Sequence, residues 1–225
     1  MKNLLLKIIF LFAITSAFSQ EIEVIKKTDS VPNIKEKGLT FINSKTELND
    51  YYFIAKIKVK SDDFNEIIRG IQKMAIDFSA NAFKFIHNEN SKNKTSVTIE
   101  LFSVLPKFQE ENKNNNETNV IYFFGNDTKT QKFKIDENKI ELKANEIFRF
   151  EIPKNKTVKI NKGGFTGMTV YHQWKEKQPV IFYAFGSGNL STFGDGKSSV
   201  GLSINTGKII ELRNDFAYLL MEIKK

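Results

Sequence analysis

Cysteine is absent from the 225 residues. That absence removes a disulfide framework, thiolate metal sites, a cysteine nucleophile and the lipidated cysteine of a bacterial lipoprotein. Histidine is nearly absent too, with His87 and His172 the two copies, so a multi-histidine zinc site or a pair of histidine bases has no supply. There is no G-x-S-x-G elbow and no H-E-x-x-H stretch, the usual marks of a serine hydrolase or a zinc protease. Beyond the N-terminal leader no run is apolar enough to span a bilayer, which takes about 20 such residues. No cofactor and no metal are expected. Without disulfides the fold rests on its core, and a chain of this length buries enough apolar area for that.

The leader itself, MKNLLLKIIFLFAITSAFSQ, has Lys2 and Lys7 around its start, an apolar run from Ile8 to Ile14, and small residues after it. This is the layout of a secretory signal. Its apolar run is about half the length of a membrane anchor. Ala17 and Ser19 suit the small-residue positions of a cleavage site, so residues 1–19 are expected to be removed, with Gln20 as the new N-terminus. An exported, cysteine-free chain fits a bacterial envelope: periplasm, outer-membrane periphery or medium. Formal charge is +8, two of it from the leader's Lys2 and Lys7. Such an excess attracts anionic partners over long range, but the acidic residues are interleaved with the lysines, which reads as a mixed surface; polyanion binding stands third among the functional readings, and nucleic acid is not an expected partner.

Residues 20–47 read as an N-terminal extension with one strand, in EIEVIKKT. From Tyr51 the period is two: Phe53, Ala55, Ile57 and Val59 alternate with Ile54, Lys56, Lys58 and Lys60, the pattern of a half-wet strand. In the next segment Phe64, Ile67, Ile68, Ile71, Met74, Ala75 and Phe78 recur at three- and four-residue steps, which is one helical stripe. Ser61, Asp62 or Asp63 can cap it, and Asn81 suits a left-handed stop. Strands are expected at 82–87 and 96–105, completing a β-α-β-β domain over 48–105.

PKFQEENKNNNETN is poor in apolar residues and reads as a solvated Asn-rich linker over 106–118. After it come about ten short alternating segments, FAYLLMEI the last of them, separated by Gly, Asn and Asp turns. They argue for an antiparallel β-sandwich over 119–225. The fold class is α+β.

STFGDGKSS at 191–199 ends in the letters of a phosphate-binding loop. The first glycine of that motif is replaced by Ser191, and the residues after Lys197 alternate as a strand, so the helix N-terminus that completes an anion site is missing. Nucleotide is therefore excluded as a partner. The Gly-rich stretch instead offers Leu190 and Phe193 as partner-facing hydrophobes at the end of a sandwich. Tyr171, His172 and Trp174 form a second candidate surface, with His172 and Trp174 on one side of a strand and Tyr171 on the other. A Ser-His-Asp arrangement using His172 and Asp195 rests on counts alone, whereas triads are recognised by geometry.

Two resemblances accompany these readings. Residues 51–105, with the Ser79 to Ala82 step closing a helix before a strand, resemble the small α/β units of bacterial envelope proteins assigned to a heavy-metal-binding family. The family name implies metal, for which this segment supplies no cysteine and only His87 after the helix. The stretch VIYFFG…IELKANEIFRFEIPKNKTVKIN is similar to uncharacterised bacterial lipoprotein domains with a β-sandwich plan. The expectation is an exported noncatalytic binding or structural protein that contacts an envelope protein or glycan through sandwich end loops. The alternative is a secreted hydrolase of glycans or peptides.

Overall fold

The structure, a computed structural model, describes residues 20–28, 38–47, 51–91, 94–126, 128–163, 167–185 and 208–225. In the N-terminal half, alternation gives β1 (Glu21–Lys27), β2 (Thr40–Phe41), β3 (Tyr51–Ser61), β4 (Ala82–Ser91) and β5 (Lys94–Val104), with helix α1 (Phe64–Asp77) between β3 and β4. They form one sheet in the order β1-β3-β5-β4-β2. Pairing is antiparallel except between β2 and β4.

The β3 alternation is interrupted once. Phe53 pairs with Phe102 and Ala55 with Leu101, leaving Ile54 as the extra residue of a bulge. A bulge reverses the facing of side chains beyond it, so Phe53 does not share a face with Ala55, Ile57 and Val59 as the simple period of two predicts. Phe53 packs instead with Phe102, Val104 and Phe108 on the opposite side, while Ile54 joins the main core.

Helix α1 lays its expected stripe on that core: Ile67, Ile68, Ile71 and Ala75 are buried, with Phe64, Met74 and Phe78 packed against them. Asp63 caps it by accepting from the Asn65 N–H at 2.8 Å. Gly70 lies so close to the sheet that a Cβ there would come within 2.9 Å of the Val59 side chain. The left-handed stop falls on Ser79 (φ 56°) rather than on Asn81. Asn81 is buried and pairs both amide groups with the Val104 backbone at 2.8 Å, because an amide side chain can replace a missing strand neighbour.

Residues 106–118, expected as a solvated linker, begin with a helix, α2 (Pro106–Asn114). Proline at its start is pre-set for the first turn. Phe108 and Asn112, one turn apart, are both buried. The Asn112 amide accepts from the Asn43 N–H and the Thr46 hydroxyl, each at 2.9 Å, and donates to the Phe41 carbonyl at 2.8 Å. One buried amide thus holds residues 41–46, and the segment's low apolar content concealed it.

The C-terminal half contains β6 (Val120–Phe124), β7 (Gln131–Ile135), β8 (Asn138–Leu142), β9 (Ile147–Glu151), β10 (Thr157–Lys162), β11 (Met168–Gln173), β12 (Ile181–Phe185) and β13 (Ile209–Glu211), then helix α3 (Asn214–Lys224). These strands make two four-stranded sheets, β11-β10-β7-β8 and β13-β12-β6-β9. Side chains of both meet in one cluster around Phe123, Phe133, Ile160 and Phe185. Pairing is not wholly antiparallel: β6 and β12 run parallel, as strands far apart in sequence with a long crossover can. The class is α+β, mostly strand.

FAYLLMEI, expected as the last strand, is α3. A short run apolar on both sides reads alike as buried strand or buried helix. Here Phe216 and Leu219 enter the core of the five-stranded sheet, while Ala217 and Leu220 enter the cluster on the second face of the β6 sheet. Asp215 in its first turn accepts from the Phe41 N–H at 3.0 Å. Among the described residues no helix is long and apolar enough to cross a membrane.

Replacing Asn112 with alanine is expected to cost about 1–3 kcal/mol, since it leaves the Asn43 amide and Phe41 carbonyl without their partner. Exposed Asn114→Ala, in the same helix, should stay within about 0.5 kcal/mol of wild type; urea midpoints measure both.

Candidate functional site

β10 and β11 pair in antiparallel register from Thr157↔Gln173 to Lys162↔Met168, and β11 is an edge of its sheet. Alternation along β11 then decides which aromatic residues are free. His172 lies opposite Val158, which is buried, and Trp174 packs on the same cluster. The His172 Nε2 and the Tyr183 hydroxyl are 2.6 Å apart and share a hydrogen bond. Burial holds the imidazole below its ordinary pKa and pushes the Tyr183 phenol up, with Glu211 adding to that shift. The pair is therefore neutral near pH 7. Lys154 lies over the Trp174 ring, 5.8 Å from its centroid.

Tyr171 points the other way and is 64% exposed. The structure thus parts Tyr171 from His172 and Trp174, which are half-buried on the side of the sheet that faces the core. Leu190, Phe193, Asp195 and the 191–199 stretch lie outside the described residues.

The face that Tyr171 shares is built by three neighbouring strands. Lys159 is its direct partner on β10; on the next rung Lys134 of β7 lies between Asn161 and Lys139. Lys132 and Glu141 form the rung beyond, joined by an ion pair of 2.7 Å. That contact, a hydrogen bond first and charge second, lowers the Glu141 pKa and raises that of Lys132. Among the described residues, Lys134, Lys139 and Lys159 have no carboxylate within 4 Å. Asp136, in the turn after β7, accepts from the Lys159 backbone N–H at 2.9 Å. In the sequence these lysines are interleaved with acidic residues as on a mixed surface; the order of strands is what gathers them.

Two other groups escaped the sequence. Lys162 is only 4% exposed; its ammonium donates to the Gln131 side-chain carbonyl and lies 4.4 Å from the centroid of Phe185. Desolvation lowers its pKa. Glu117 accepts from the Tyr122 hydroxyl and from Arg149, whose Nη2 is 3.1 Å away. Burial opposes ionisation of Glu117, yet these two donors hold its pKa below the usual value. Burial and Glu117 together push Tyr122 up to about 12. This clamp fastens the segment after α2 to β6 and β9.

His87 lies on the five-stranded sheet, 3.5 Å from the Thr98 hydroxyl and 3.6 Å from Glu89, far in sequence and sheet from His172. Among the described residues no three His, Asp or Glu side chains gather as a cation site. No family model, curated protein or solved structure matches this chain.

Lys162 gives a pH test. Its folded pKa lies below the ordinary 10.5, so between the two values the unfolded chain binds more protons and stability rises with pH. Urea denaturation across the alkaline range should show wild type gaining relative to Lys162→Met; parallel curves would contradict the burial of a charged amine.

Proposed function

We propose that this chain is an exported, noncatalytic binding module of the bacterial cell envelope, acting in the periplasm, at the outer membrane or outside the cell on a glycan or an envelope protein. The placement of side chains on β11 carries the reading. His172, the histidine that a Ser-His-Asp arrangement would use, is half-buried and bonded to Tyr183. Tyr171 stands exposed on an edge strand beside lysines with no carboxylate partner. An amphipathic ring with a polar tip is suited to recognition without chemistry. The envelope assignment rests on the secretory layout of the leader.

In this reading residues 48–105 form a β-α-β-β domain and residues 119–225 a β-sandwich made of the two four-stranded sheets. Helix α3 is common to both, since its side chains enter both cores.

Retention of native envelope glycans by the immobilised mature chain tests the role. Tyr171→Ala is expected to lower retention several-fold, and Phe193→Ala run beside it probes the end loop. Undiminished retention with Tyr171→Ala would sink the β11 assignment. Release of reducing ends by wild type would replace the module with a hydrolase.

A further inference from the structure

We propose that the outer face of the β11-β10-β7-β8 sheet binds an acidic polysaccharide, a sugar chain bearing carboxylate or sulfate groups. The proposal rests on the binding-module reading and names its site and ligand class.

The first ground is an uncompensated charge. Lys134 and Lys139 are direct cross-strand partners, and like charges so placed repel at about 4.5–5.5 Å between Cβ atoms. Elsewhere several sheet lysines have a carboxylate partner, including Lys56, which lies opposite Lys26 but has Glu100 at 3.9 Å. On the five-stranded sheet Lys58 pairs with Glu89 at 2.8 Å, and Lys60 and Lys94 both pair with Glu21, at 3.0 and 2.9 Å. One rung from the Lys134 pair, Lys132 has Glu141. Lys134, Lys139 and Lys159 alone on this face lack such a partner among the described residues. The acidic groups nearest in the strand connections are Asp136 and Glu137, and the Asp136 carboxylate is taken by the Lys159 backbone. A bound anion would supply the missing charge.

The second ground is the company these lysines keep. Tyr171 offers a ring 64% exposed, and Thr157 and Gln173, its neighbours on the same face and both exposed, offer hydroxyl and amide groups. A ring for the C–H face of a pyranose, polar tips for its hydroxyls and ammonium groups for its acids make one complementary set. Nucleic acid is served less well, since stacking of successive bases calls for several rings. A lipid surface would call for apolar side chains that this face does not carry.

The test uses the mature chain with polygalacturonate and heparin as acidic probes, dextran as the neutral one and single-stranded DNA as the rival polymer. Wild type should bind the acidic sugars, and more weakly as salt shortens the screening length. Lys139→Glu is the informative variant. It places opposite charges across the rung, so stability should hold or rise while affinity drops about tenfold, as a reversed contact requires. Lys134→Gln/Lys139→Gln should weaken binding in the same direction. Lys73→Glu/Lys113→Glu, a larger charge change away from the face, should keep wild-type affinity.

Equal weakening by the patch and remote variants would reduce the effect to net charge and overturn the site. Tighter binding to DNA than to either acidic sugar would overturn the ligand class. Retention of envelope glycans without binding to the acidic probes would sink this proposal alone. Retention of neither would sink the glycan-binding reading of the module with it.

Discussion

The burial of α3 between two sheets is the constraint on which the rest depends. A helix of eleven residues that puts Phe216 and Leu219 into one core and Ala217 and Leu220 into another cannot leave either without exposing apolar surface. Each large side chain so buried contributes about 1.5–3 kcal/mol. Tyr218 spans the two sides: its ring stacks on Phe41 at 5.7 Å and meets Phe182 edge-on at 4.9 Å. The bond from the Phe41 amide to Asp215 fixes the start of the helix against β2.

Layer order follows from that helix. The β6 sheet is covered on one side by α3 and on the other by the β10 sheet, so its central strands are apolar on both faces. VIYFF in β6 and IFYAF in β12 show this directly. The five-stranded sheet has α1 and α3 on one face, and Phe108 of α2 covers part of the other. The outer face of the β10 sheet keeps its lysines and Tyr171 exposed or half-exposed. The proposed binding face is therefore the side of the molecule that the core least requires.

Much of this was legible in the sequence. The stripe of α1, the alternation of β3 beyond its bulge and the described short segments after residue 119 other than FAYLLMEI rest on local periodicity, and they stand where the periods put them. What escaped needs knowledge of neighbours. The bulge at Ile54 depends on its partner strand, and α2 on Asn112 reaching residues 41–46. Helix α3 has two apolar faces because it has two partners. The site divides in the same way. That Tyr171 and His172 face opposite ways follows from alternation; that Tyr171 is the outward one, and that lysines from β7, β8 and β10 gather beside it, depends on sheet order.

If α3 binds both cores, the two halves unfold together. Trp174, the single tryptophan, packs on the cluster of the C-terminal sheets, and the β5 amides report on the N-terminal sheet. Following Trp174 fluorescence and β5 amide protection through one urea titration tests the account most directly. It predicts a shared midpoint for the two signals; loss of the Trp174 signal while β5 stays protected would contradict it.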